Sequence, residues 1–105
     1  MPHQGKDVEA SMQFYEVLRI NPNDAQAHHK LGVILSHQGE KQEAVVHLIE
    51  AIRIIPHYAE AHLSLGTLYL EMGKKDLALE QHKILQTINK SLADALYHKF
   101  FKHKN

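Results

Sequence analysis

The stretch from Ala25 to Tyr58, AQAHHKLGVILSHQGEKQEAVVHLIEAIRIIPHY, decides the reading of this chain, because the residues after it repeat its pattern. It contains His28-x2-Leu31-Gly32-x2-Leu35, then Ala44-x3-Leu48, then Ala51 and Pro56. One period later stand His62-x2-Leu65-Gly66-x2-Tyr69 and Ala78. Leu31, Ile34 and Leu35, and then Ala44, Leu48, Ala51, Ile52 and Ile55, recur at helical spacing, which places each set on one face of a helix. Gly39 between the two sets stops the first helix, and Gly73 stands in the equivalent place one period on. Each unit is therefore a hairpin of two amphipathic helices. Gly32, Ala44 and Ala51 are small residues inside otherwise good helix. A glycine there costs roughly 1 kcal/mol relative to alanine, so close approach of the helices is the expected compensation.

The shift from Leu31-Gly32 to Leu65-Gly66 is about 34 residues, the period of tetratricopeptide repeats, and the Leu-Gly, Ala and Pro offsets agree as well. The chain thus resembles the tetratricopeptide-repeat family from about Asp7 to Phe101. The resemblance implies an all-α fold, an α-solenoid of antiparallel helix hairpins. Counting back one period, Gly5, Ala10, Phe14, Val17 and Pro22 fall where Gly39, Ala44, Leu48, Ala51 and Pro56 stand, so the chain opens halfway through a repeat. The expected organisation is a single domain over residues 1–105: a half-repeat helix at 7–20, full repeats at 25–58 and 59–90, and a capping helix at 91–101. Asn23 or Asp24 caps the helix that begins near Ala25, and Pro56 closes the first hairpin.

The second repeat departs from the family pattern near its end. His82 replaces a large aromatic or aliphatic residue, Leu85 a small one, and Lys90 the proline. The last helix, capped by Ser91, carries Leu92, Ala95, Leu96 and Phe100 on one side. Lys99-Phe100 replaces the Leu-Gly pair, so Phe100 obstructs a further hairpin partner and the helix covers the end of the array. Lys102 and Lys104 suit the negative end of its dipole.

A chain of 105 residues without a composition break is one domain by size. Lysine plus arginine equal aspartate plus glutamate at 12 each, leaving no field to attract nucleic acid or an acidic membrane. There is no cysteine for a disulfide or a thiolate metal site. No apolar run approaches the roughly 18 residues of a membrane span, and the polar start has no secretory pattern, so a cytoplasmic location is expected.

Catalysis finds no support. The sequence has no Gly-rich phosphate loop, no His-Glu-x-x-His and no nucleophile elbow, and Ser36 and Ser64 lack an orienting acid. No enzyme activity and no cofactor are expected. The ten histidines raise metal binding as an alternative, since imidazole ligates zinc, copper and nickel. Yet His29 and His37 lie about 12 Å apart along one helix, too far to share an ion. His28 and His62 occupy equivalent places, where packing explains them. No metal site is assigned, but the histidines predict that stability or partner binding falls between about pH 7 and pH 5.

The favoured reading is a protein-interaction module or scaffold. By resemblance, the first helix of each hairpin lines a concave groove: Gln26, His29, Val33, Ser36 and His37, then Glu60, Leu63, Thr67, Leu70 and Glu71, with Asp94, Tyr97 and Phe101 from the capping helix. Val33, Leu63, Leu70 and Tyr97 would form an apolar strip beside acidic Glu60, Glu71 and Asp94, suited to a peptide or helix with apolar anchors and some basic residues. The competing reading is that Leu63 and Leu70 pack against a flanking helix. The family's carboxylate clamp for chaperone tails is missing, its places being taken by His29, Val33, Ser64, Asp94 and His98. A second alternative is self-association through the uncovered first helix at Ala10, Phe14 and Val17, giving a homo-oligomer. Tyr97, Phe100 and Phe101 among Lys99, Lys102 and Lys104 read as a cap with snorkelling lysines rather than a nucleic-acid or membrane surface.

Overall fold

The computed structural model describes the backbone of residues 2–104 and the side chains of residues 5–100. The side chains of Phe101, Lys102 and Lys104, given roles above, lie outside the described residues. Among the described residues every regular element is an α-helix, so the all-α fold of antiparallel hairpins expected from the repeat is the one observed. The chain divides into two compact units, Met1–Pro56 and His57–Asn105.

The first unit holds α1 (Pro2–Ile20), α2 (Ala25–His37) and α3 (Lys41–Ile54). The helix α1 begins at Pro2 rather than near Asp7. Proline is tolerated at a first helical position because its missing N–H would have had no partner there. Asp24, not Asn23, caps α2: its Oδ1 accepts from the Ala27 N–H at 3.0 Å. At the other end of α2, Gly39 adopts φ +84° and donates to Ser36, while the Glu40 N–H donates to Leu35 at 2.9 Å. This Schellman motif uses the left-handed conformation that glycine reaches without a Cβ penalty. The helix α3 ends one residue before Ile55, which is extended as a residue preceding proline prefers.

α2 packs against both α1 and α3. Of the set that the spacing placed on the inner faces, Leu31, Leu35, Ala44, Leu48 and Ala51 are buried, Ile34 and Ile52 are half-buried, and Ile55, which lies past the end of α3, is exposed. Gly32 shows why small residues are needed here: an added Cβ would lie 2.8 Å from Leu48 Cγ and 3.2 Å from the Ala44 carbonyl oxygen. The close approach expected of this hairpin is present.

The second unit holds α4 (Ala59–Glu71), α5 (Lys75–Ile88) and α6 (Lys90–Lys104), each in contact with the other two. Gly73, at φ +76°, ends α4 as Gly39 ends α2, with the Lys74 N–H donating to Tyr69 at 2.8 Å. Leu65, Leu68, Leu85, Ala93 and Leu96 are buried. The cap of α6 is not Ser91. The helix starts at Lys90, and Asn89, extended at φ −160°, accepts the Leu92 N–H through Oδ1 at 3.1 Å. Asn89 ends α5 and starts α6 without a proline between them.

Candidate functional site

The face of α2 carries exposed Gln26 and His37 with half-buried His29, Val33 and Ser36 between them. In the second unit, α4 carries exposed Glu60 and Glu71 and half-buried Leu63 and Thr67, while α6 adds exposed Asp94 and Tyr97. Leu70 is only 7 % exposed, so it contributes to packing and offers a ligand almost nothing. Leu63 is the aliphatic side chain that remains accessible on that face of α4. Tyr97 is held from one side by the His82 ring, 5.5 Å away and tilted by 33°.

On α1, Ala10 and Phe14 are half-buried and Val17 is partly exposed. Other apolar residues of α1 are more open: Ile20 at 70 %, and Met12 at 66 % with Val8 at 50 % one turn before it. Counting back one period set Phe14 at the place of buried Leu48, which marks packing rather than the outward side of the helix.

The most ordered polar arrangement lies inside the first hairpin. His28 is buried, and its Nε2 sits 2.8 Å from the Pro22 carbonyl oxygen. A carbonyl only accepts, so Nε2 bears the proton and Nδ1 presents a lone pair. That lone pair faces Nδ1 of His47 at 3.0 Å, which therefore donates. The two rings are stacked at 5.2 Å. On its far side, His47 Nε2 lies 3.7 Å from the Glu43 carboxylate, and the Tyr15 hydroxyl donates to that same carboxylate. A line of polar contacts thus runs from α1 through α3 to α2 and the turn before it.

The environment moves the titration of two of these groups. Burial holds His47 below the ordinary imidazole range, and neighbouring His28 adds to this, while Glu43 and Glu50 act the other way. Tyr15 is pushed up to about 12, first by burial and then by its hydrogen bond to Glu43 and the charges of Glu43 and Glu40. In the second hairpin the pair at the same register is His62 and Gln81, with His62 Nδ1 donating to Gln81 Oε1 at 2.6 Å. His47 is a functional candidate that the sequence reading passed over. The signal was there: His47 follows His28 at the same interval at which Gln81 follows His62.

Among the described residues no group of three or more histidine, cysteine, aspartate or glutamate side chains is placed to hold a metal ion. Nor is any helix there long and apolar enough to cross a membrane.

Hairpins of this length, with Leu-Gly close contacts and glycine stops one period apart, define a class of helical-repeat proteins. Two family models match the chain, one described as TPR repeat over residues 34–73 and one as Tetratricopeptide repeat over residues 14–46. The chain belongs to the tetratricopeptide-repeat family. Among solved structures it is similar to one titled "Crystal structure of MamA protein", with a TM-score of 0.76 and 26% identity, covering 91% of this chain and 61% of that one. The chain therefore spans about three fifths of that protein's length. Another, "Crystal structure of MamA", aligns with a TM-score of 0.47 and 23% identity over 94% of this chain and 87% of that one. No curated protein matches.

Proposed function

We propose that the chain is a protein-interaction module that holds a peptide or helix of a partner protein, with α4 and α6 of the second unit as its contact surface. The tetratricopeptide repeats and the likeness to MamA support an interaction or scaffold role as a class. One observation carries the finer reading. Two helices that pack on each other, α4 and α6, bear accessible Leu63 and Tyr97 together with the exposed carboxylates Glu60, Glu71 and Asp94. Such a surface favours a segment with apolar anchors and lysine or arginine beside them. No catalytic step and no cofactor belong to this reading.

A panel of amphipathic peptides, with lysine or glutamate flanking identical apolar anchors, tests it by fluorescence anisotropy. The lysine series binds more tightly, and the double variant Leu63→Glu with Tyr97→Lys loses roughly tenfold or more in affinity, as anchor residues do. Equal binding by both series, or by the variant once circular dichroism shows it folded, removes the reading.

A second reading rests on Val8 and Met12, an exposed apolar pair one turn apart on α1. Burying that pair against a second copy gives a homo-oligomer. Its mass rises with concentration in sedimentation, and Met12→Lys abolishes the rise; a constant mass rules it out.

A further inference from the structure

We propose that the first hairpin is an acid-released latch, held shut by the face-to-face Nδ1 contact of His28 and His47 and opened when both imidazoles are protonated, whereas the second hairpin, with Gln81 in the place of His47, stays shut.

The geometry sets the order of events. At neutral pH one Nδ1 donates and the other accepts, at 3.0 Å. A first added proton leaves the contact intact, because whichever ring carries it one hydrogen still lies between the two Nδ1 atoms. With a second, both rings carry an N–H at Nδ1, because His28 Nε2 keeps its own N–H on the Pro22 carbonyl at 2.8 Å. Two N–H groups then point at each other between two cations whose rings are stacked at 5.2 Å. A like-charge pair at this range is repulsive at any effective dielectric, and more so where water is largely excluded. Turning the His28 ring to avoid this breaks its bond to Pro22.

The groups around the pair do not relieve it. On α3, Glu43 and Glu50 favour a charge on His47, but Glu43 is also engaged by the Tyr15 hydroxyl from α1, and Tyr15 lies edge-on to His47 at 6.1 Å. Glu43 meets His47 at Nε2, away from the Nδ1 contact, so it does not separate two N–H groups that face each other there. From the turn between α1 and α2, His28 meets the Pro22 carbonyl, while the Asp24 carboxylate is engaged as the cap of α2 by the Ala27 N–H.

Gln81 makes the second hairpin the internal control. His62 donates from Nδ1 to the amide oxygen of Gln81 at 2.6 Å, and an imidazolium keeps that same N–H. Protonating His62 leaves its contact to α5 standing. One residue, at one register, separates a proton-sensitive hairpin from a proton-tolerant one.

Amide hydrogen exchange at pH 7.5 and pH 5.0, expressed as protection factors so that the intrinsic pH dependence cancels, reads the two hairpins separately. In the intact chain α2 and α3 lose at least tenfold in protection on acidification, and α4 and α5 lose less than threefold. His47→Gln makes the first hairpin behave like the second. Gln81→His, which builds the pair into the second hairpin, transfers the loss to α4 and α5. Equal losses in the two hairpins overturn the proposal, as does an unchanged loss in His47→Gln. Should Gln81→His fail to fold at pH 7.5, the comparison of the intact chain with His47→Gln decides alone.

Discussion

Leu96 of α6 lies directly on Gly66 of α4: a Cβ built on the glycine would meet Leu96 Cδ2 at 2.6 Å. At the equivalent place in the first unit, Gly32 is covered by Leu48 from the second helix of its own hairpin. The residue at Leu48's register in the second unit is His82, which turns instead to the Tyr97 ring. The glycine of the repeat thus keeps its close contact while the side chain filling the space changes helix. This is what makes α6 part of the second unit's core.

The two glycines should respond differently to alanine. At Gly32 the atoms in the way are the Leu48 branch carbon, one of its methyls and, slightly further, the backbone oxygen of Ala44, and of these only the methyl swings aside readily. At Gly66 they are chiefly the terminal methyls of Leu96. Alanine gains about 1 kcal/mol in helix propensity at either site, against about 1–3 kcal/mol for overpacking. Gly32→Ala is expected to lower stability and Gly66→Ala to lower it less. Urea midpoints in the opposite order would contradict this.

Leu96→Ala tests the role of α6 from the other side. The side chain is 2 % exposed, and removing its buried carbons costs about 2–5 kcal/mol. Because α6 touches both α4 and α5, protection of amides in all three helices should fall together. A loss confined to α6 would mean that it is an appendage, not a core element.

The hairpins, their glycine stops and their inner faces were legible because each rests on a local rule read twice, one period apart. Residues whose partner comes from elsewhere in the fold were not. The exchange of His82 for Leu96 over Gly66 depends on how α6 settles, which no spacing encodes. Leu70 and Leu63 look alike on a helical wheel, and only the packed structure separates the buried one from the accessible one. Asn89 was passed over for Ser91 because both residues can cap a helix and the boundary differs by a single residue.

Gly5 offers a stabilising change. It lies within α1, has an ordinary negative φ, and an added Cβ would meet nothing within 4 Å. Gly5→Ala should therefore raise stability by about 0.5–1 kcal/mol, through helix propensity and a less free unfolded chain. An unchanged thermal midpoint would show that the first turns of α1 do not unfold with the rest of the unit.

Asp24 is the one side chain seen capping α2, through the 3.0 Å bond from Ala27. Asp24→Ala leaves that N–H without its partner and should cost about 1 kcal/mol, whereas Asp24→Asn retains an acceptor and should cost less. Denaturant midpoints of the three proteins check the order. If alanine and asparagine are equally destabilising, charge at the helix end, not the hydrogen bond, is the source of the effect.

Tyr15 joins α1 to α3 through Glu43, and its ionisation gives this link a pH dependence at the alkaline end. Its pKa in the folded chain, pushed up to about 12, lies above the value of about 10 for an unfolded chain. Below pH 10 both states keep the proton and the contribution of Tyr15 to stability is complete. As pH rises from 10 through 12 the unfolded chain releases the proton first, so that contribution is lost. Absorbance at 295 nm should show a tyrosine ionising late, in company with Tyr69, whose pKa burial also raises. Tyr15→Phe should remove that share of the late signal and flatten the fall in stability above pH 10. Because the hydroxyl donates to the same Glu43 oxygen that lies 3.7 Å from His47 Nε2, the same variant leaves that oxygen to His47 and should ease its protonation. The imidazole shift of His47, followed by NMR, should then move at a higher pH; an unmoved titration would show that Glu43 serves Tyr15 and His47 independently.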